Sequence, residues 1–269
     1  QTARLPALSG ARSGIMNQHA GLRSALTGLM VAAALLWSPP GALADETAWQ
    51  ALPPFSAVYE VRKAGFTLGR ADLRFRRPAE GRYYYRLHTR ATGIARMVYS
   101  SEVREMSIGH VGPEGFRPDV YRYQRSGDDK AREAELRFDW TALEVVNDVA
   151  DWAWRMDITR DTIDRVISPL QLMHDLAARP ADTGELVYRI ADGGELKTYL
   201  LTIDGRETVE TPAGRFKALR IRRSDTDSDR RTILWVAPAL RYLAVQVEQW
   251  EDGSRNFRLV LADVEGLPD

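Results

Sequence analysis

From Phe55 to the end of the chain, apolar and polar residues alternate one for one in segment after segment. In "ELRFDW", Leu136, Phe138 and Trp140 fall on one side and Glu135, Arg137 and Asp139 on the other. The same comb runs through Leu73 and Phe75 against Asp72, Arg74 and Arg76, through Leu186, Tyr188 and Ile190 against Glu185 and Arg189, and through Phe257, Leu259 and Leu261 against Asn256 and Arg258. Successive side chains of a strand point to opposite faces, so this period predicts strands with one wet face, the pattern of antiparallel sheet. Turn residues separate the combs: Glu80-Gly81, Pro113-Glu114-Gly115, Asp192-Gly193-Gly194, Asp204-Gly205, Pro212-Ala213-Gly214 and Asp252-Gly253. They supply the backbone freedom that tight hairpins need. About a dozen strands at hairpin spacing follow. "GDDK" (127–130) and "SDTDSD" (224–229) read as longer, charged tips, and the latter lacks the Gly and distal Glu of a calcium loop.

One segment breaks the comb. "SPLQLMHDLAA" (168–178) places Leu170, Met173 and Ala177 on one helical stripe, widened by Leu172 and Leu176. Ser168 is placed to cap it, Pro169 suits the first turn, Gln171 completes a capping box, Ile167 and Leu172 form a staple, and Arg179-Pro180 ends it. So broad an apolar face must be buried against sheet. A long antiparallel sheet twists and curls, leaving a concave face to fill. The predicted fold is therefore all-β with one short helix: a large curved antiparallel sheet, forming a half-barrel or β-spiral, with the helix plugging its concave face.

The start of the chain is of a different kind. From Met16 a short polar stretch with His19 and Arg23 precedes the apolar run "ALTGLMVAAALLW" (25–37) and "SPPGALA", which reads as a secretory signal peptide with cleavage after Ala44. The run is shorter than the roughly 20 apolar residues that span a bilayer, so it is no permanent anchor. We accordingly divide the chain into an upstream extension of no assigned role (1–15), a signal peptide (16–44) and a single β domain (45–269). Removing the first 44 residues takes away three of the 37 basic residues (Arg4, Arg12 and Arg23) and none of the 37 acidic ones, leaving a formal charge of −3. That balance gives no reason to expect nucleic acid or an anionic membrane surface as partner. With no Cys in the chain, disulfides, thiolate metal sites, a Cys nucleophile and a lipidated N-terminal Cys are all excluded.

Candidate chemistry is sparse. His88, His110 and His174 follow the leader, and none belongs to an H-x-H, H-x-x-H or H-E-x-x-H pair, so no metal is expected. A hydrolase could use His174 with Asp175 or Asp164, but neighbouring residues on a helix do not face each other and no G-x-S-x-G elbow occurs. Paired aromatics are more suggestive. Tyr83 with Tyr85, Tyr121 with Tyr123, and Trp152 with Trp154 each share a strand face, and such ladders either line a lipid or glycan groove or pack a β core. Arg220, Arg222, Arg223, Arg230 and Arg231 surround the "SDTDSD" tip, which is expected to neutralise them.

Four stretches resemble a known family. "AVYEVRKAGFTLGRADLRF" (57–75), "DRVISPLQLMHDLA" (164–177), "ETVETPAGRFKALRIRR" (207–223) and "ILWVAPALRYLAVQVEQ" (233–249) are similar to the secreted bacterial family known as domain of unknown function 3108. Its more specific elements stand here as Thr211, Pro212, Gly214 and Phe216, and as Trp235, Ala237 and Pro238. The resemblance implies an exported, mostly β envelope protein of Gram-negative bacteria with no catalytic residues to carry over. We expect a non-enzymatic periplasmic protein, without a cofactor or transmembrane anchor. It would bind a lipid or glycolipid, or an envelope protein partner, on its concave face, with Trp152, Trp154, Met173 and His174 as candidate ligand-binding residues. The alternatives are an interaction module with a filled core and, less favoured, a hydrolase of envelope polymers.

Overall fold

A computed structural model describes residues 52–97, 100–127, 131–147, 153–225 and 230–268. The strands are β1 (Phe55–Lys63), β2 (Phe66–Arg76), β3 (Arg82–Ala91), β4 (Glu102–Gly112), β5 (Gly115–Ser126), β6 (Arg132–Asp139), β7 (Glu144–Asn147), β8 (Trp154–Asp157) and β9 (Thr162–Asp164). After helix α1 (Ser168–Ala178) come β10 (Thr183–Asp192), β11 (Glu195–Thr211), β12 (Gly214–Asp225), β13 (Arg231–Ala237), β14 (Leu243–Glu251) and β15 (Ser254–Glu265). All fifteen belong to one sheet in the order β8-β7-β6-β5-β4-β3-β2-β1-β15-β14-β13-β12-β11-β10-β9. The first and last strands meet in its middle, with Tyr59 opposite Leu261.

The sheet is large, curved and not closed into a barrel, as the alternation predicts, with two differences. Three short strands, β7 to β9, take the count beyond a dozen, and β9 pairs with β10 in parallel, Ile163 opposite Ile190. Strands of three or four residues are too short to show a period. The edge strands β8 and β9 do not pair with each other. Instead β9 packs against β5 and β8 against β11, far away in strand order, so the sheet rolls until its ends tuck against its own interior. Short edges guarded in this way offer little ladder for another chain to join.

The interior face carries the inward teeth of the combs: Phe75, Tyr83 and Tyr85 are among the largest fully buried side chains, and Phe116 stands edge-on to both Phe75 and Tyr83. On the opposite face, the far half of the β11–β12 hairpin bends back at a bulge after Ile203 and lies against β14 and β15. Ala213 N–H, in the Thr-Pro-x-Gly turn, donates to the Leu261 carbonyl at 3.2 Å, and the Trp235 indole donates to Glu207 at 2.7 Å. The two motif elements named above thus hold one outer clasp.

Helix α1 fills part of the hollow, with Leu170, Leu172, Met173 and Leu176 buried. Its start differs from the predicted capping box. The N-cap is Ile167, without a side-chain cap; Asp164 accepts the Ile167 N–H at 2.9 Å, and Ser168 Oγ donates back to the Arg165 carbonyl at 2.9 Å. The Gln171 side chain reaches across to β5 instead, accepting the Phe116 N–H at 2.7 Å. Gly115 lies so close, in the left-handed region at φ +97°, that a Cβ there would collide with the Gln171 amide. The buried Asp164 carboxylate thus fixes the N-cap residue from three positions upstream, and Ser168 and Gln171 turn to other partners.

Candidate functional site

Because α1 occupies only part of the hollow, an apolar cavity of about 200 Å³ is left beside its first turns. Leu172 and Met173 of the helix form one side, Leu73 and Tyr85 the near wall, and Leu201 and Leu234 the far wall. These strand residues alternate with wet ones, so the period that builds the sheet also lines the cavity. Tyr59 turns its hydroxyl out of the apolar space, donating to the Ala244 carbonyl at 2.8 Å. Arg223 and Thr232, directly opposite each other on β12 and β13, bring polar groups to the cavity lining, and Arg165 joins them just before α1.

A second pocket of about 260 Å³ adjoins it at the seam where the rolled sheet meets itself. Arg165 lines both. Its guanidinium pairs with Glu105 at 2.8 Å and Asp192 at 3.8 Å, accompanies the Tyr121 hydroxyl at 3.0 Å and lies 5.0 Å over the Tyr123 ring. Lys197 pairs with Asp192 at 3.0 Å. Trp154 lines this seam pocket and stacks near the Gly193-Gly194 turn, where a Cβ on Gly194 would meet its ring at 3.4 Å.

Beneath the seam lies a buried polar chain. Tyr83 Oη and Ser107 Oγ share a hydrogen bond at 2.8 Å, and Ser107 donates to Asp164 at 2.5 Å. Burial pushes the Asp164 carboxyl up to about 7, against the hydrogen bonds from Ser107 and Ile167 that pull it down. A second network runs along α1: Gln171 Nε2 and Tyr188 Oη donate to the two Asp175 oxygens at 2.9 and 2.7 Å, and His174 Nδ1 lies 3.1 Å from Asp175.

The predicted site residues therefore separate. Met173, 2% exposed, lines the cavity, whereas Trp154 lines the seam pocket. His174 is 6% exposed and lines neither; its Nε2 has no hydrogen-bond partner among the described residues. Trp152 lies outside the described residues. Among the described residues Arg220 and Arg222 pair with Asp204 on β11 at 2.5 and 2.8 Å, and Arg230 with Glu251 at 2.8 Å, while most of the acidic tip lies outside the described residues. Arg223, on the other face, lies 4.3 Å over the Tyr199 ring. Sequence reasoning missed its inward placement, although its parity with Leu219 and Ile221 on β12 carried the signal.

Among the described residues no group of three His, Asp or Glu side chains is placed to hold a metal, and no helix is long and apolar enough to cross a membrane. The family described as "Protein of unknown function (DUF3108)" matches residues 58–260, and the chain belongs to it. No curated protein matches the chain. A solved beta-barrel-like protein of domain of unknown function DUF1849 from Brucella abortus is similar in fold, with a TM-score of 0.52 and 12% identity over 81% of this chain and 99% of that one. Weaker likenesses are an exported protein with YmcC-like fold from Bacteroides fragilis (TM-score 0.32, 12% identity, 79% and 95% covered) and a lipoprotein from Parabacteroides distasonis (TM-score 0.31, 11% identity, 80% and 96% covered).

Proposed function

We propose that this DUF3108 protein is exported to the periplasm and holds the apolar part of an envelope amphiphile in the hollow beside α1, without catalysing a reaction. The observation that carries the reading is the apolar cavity itself. Apolar walls left open beside the helix forgo the roughly 25 cal/mol per Å² that burial contributes, and an apolar occupant would recover it. The cavity's size sets the occupant, because apolar cavities of about 150 Å³ take up a benzene-sized molecule and drug-sized pockets begin near 300 Å³. One ring or a length of one acyl chain fits, and each buried methylene contributes about 0.8 kcal/mol. The leader at 16–44 supports export, and cleavage after Ala44 would release residues 45–269 as the working domain.

A fluorescent single-chain fatty acid tests the reading. The protein should bind it, and Ala71→Leu, which puts a branched side chain into the void from β2, should lose binding while keeping or raising the melting temperature. Leu201→Phe, from the far wall, should act alike. Folded variants that bind as the parent does would contradict the reading.

A protein-partner reading has its own observation. Phe66, Ile94 and Met97 are 72, 84 and 87% exposed, and the 3-10 turn Gly93–Met97 packs against β2, so one end of the sheet presents an apolar tip. Contact through that tip suits a partner better than pairing through the guarded edges. The hydrolase reading gains nothing: His174 is held by Asp175 inside the helix network, and no described hydroxyl bonds to it.

A further inference from the structure

Arg223 is half-buried on the inner face of β12. Its neighbours along β12, Leu219 and Ile221, are fully buried, and its own stem lines the apolar cavity. Arg220 and Arg222, pointing to the other face, each have the Asp204 carboxylate. Arg223 has the Tyr199 ring and, among the described residues, no carboxylate. A guanidinium beside low-dielectric walls is costly unless an anion accompanies it, and a ring face supplies only part of that compensation. Around it, Arg165 and Lys197 bring two positive charges that Glu105 and Asp192 already balance. Among the described residues the local account therefore closes with one cation left over, at the cavity.

We propose, resting on the cavity reading above, that the occupant is a single-chain amphiphile whose head is anionic, a carboxylate or a phosphate monoester, seated on Arg223. The tail lies against Leu172 and Met173. The guanidinium fork takes two oxygens of the head side by side, a geometry that suits carboxylate and phosphate equally. Thr232, opposite Arg223 in the sheet register and lining the same cavity, adds a hydroxyl donor within cross-strand reach. Arg165 completes the positive side of the site while Glu105 and Asp192 balance it and Lys197, leaving a single net positive charge, so the head is held singly and a zwitterionic or cationic head is disfavoured.

The test is calorimetric titration of the purified, solvent-stripped protein with four ligands of one chain length, each below its micelle threshold: dodecanoate, dodecyl phosphate, dodecanol and dodecyltrimethylammonium. The anionic pair should bind at least about tenfold more tightly than the other two. Whichever anion binds more tightly identifies the head as carboxylate or phosphate. Arg223→Gln should erase the preference while leaving dodecanol binding in place. Arg222→Gln, on the outer face, should leave the preference intact, and Arg223→Lys, retaining charge without the fork, should keep part of it. Equal affinity for dodecanol and dodecanoate, or a preference that survives in folded Arg223→Gln, would overturn the assignment of the head while leaving the cavity reading standing. Failure of all four to bind would overturn both.

Discussion

Asp164 shows how much one residue can carry. It accepts hydrogen bonds from Ser107 and from the Ile167 N–H, so it joins β4 to the start of the helix from a fully buried position. Burial raises its carboxyl from 3.8 to about 7 in the folded protein. Between those values the native state keeps a proton that the unfolded chain has released. Its contribution to stability is thus complete below pH 4, falls as pH rises toward 7 and is flat above, with a limiting slope of about 1.4 kcal/mol per pH unit. Thermal melts of Asp164→Asn and the parent, compared across pH 4 to 8, should diverge in this way, the variant losing the slope. Parallel curves would place the titration elsewhere. In the sequence Asp164 was legible only as a carboxylate near a helix, because Ser168, Pro169 and Gln171 already satisfied a capping pattern. Which side chain fixes the helix start depends on burial, and burial depends on the rolled sheet.

Helix α1 was legible from its broad apolar stripe, and its burial follows from that breadth. What the stripe could not supply is how far the helix fills the hollow, since that depends on the diameter of the roll. Gln171 illustrates the coupling between elements: its carbonyl takes the Phe116 N–H on β5 and its amide donates to Asp175, with Gly115 cleared of any side chain to let it approach. Gln171→Ala leaves a buried backbone donor without its acceptor, and urea denaturation should show a loss of about 1–3 kcal/mol. A change below a few tenths of that would mean the helix is held by packing alone. Long combs such as β2, β10 and β15 were likewise legible, whereas β7 and β9 were not, and β8 was foreshadowed only by the Trp152 and Trp154 pair. Strands of four, four and three residues leave no period to read. They form because the roll brings their backbones alongside longer strands.

At the scale of the whole molecule, β1 and β15 pair at the centre while the short edges tuck inward, so sequence-distant residues meet at the seam. Arg165, Glu105, Asp192 and Lys197 come from four separate segments, and no spacing along the chain announces their meeting. The cavity shares this property: its walls obey the alternation, but its being left open is a matter of volume. If the opening holds one anionic single-chain amphiphile, as proposed, that molecule should travel with the protein. The most direct test is native mass spectrometry, followed by solvent extraction, on protein purified from a bacterial periplasm without detergent. The account predicts a chain beginning at Asp45 that carries one added mass, released into solvent as an acid with a single alkyl chain. A bare polypeptide mass, with nothing in the extract, would contradict it.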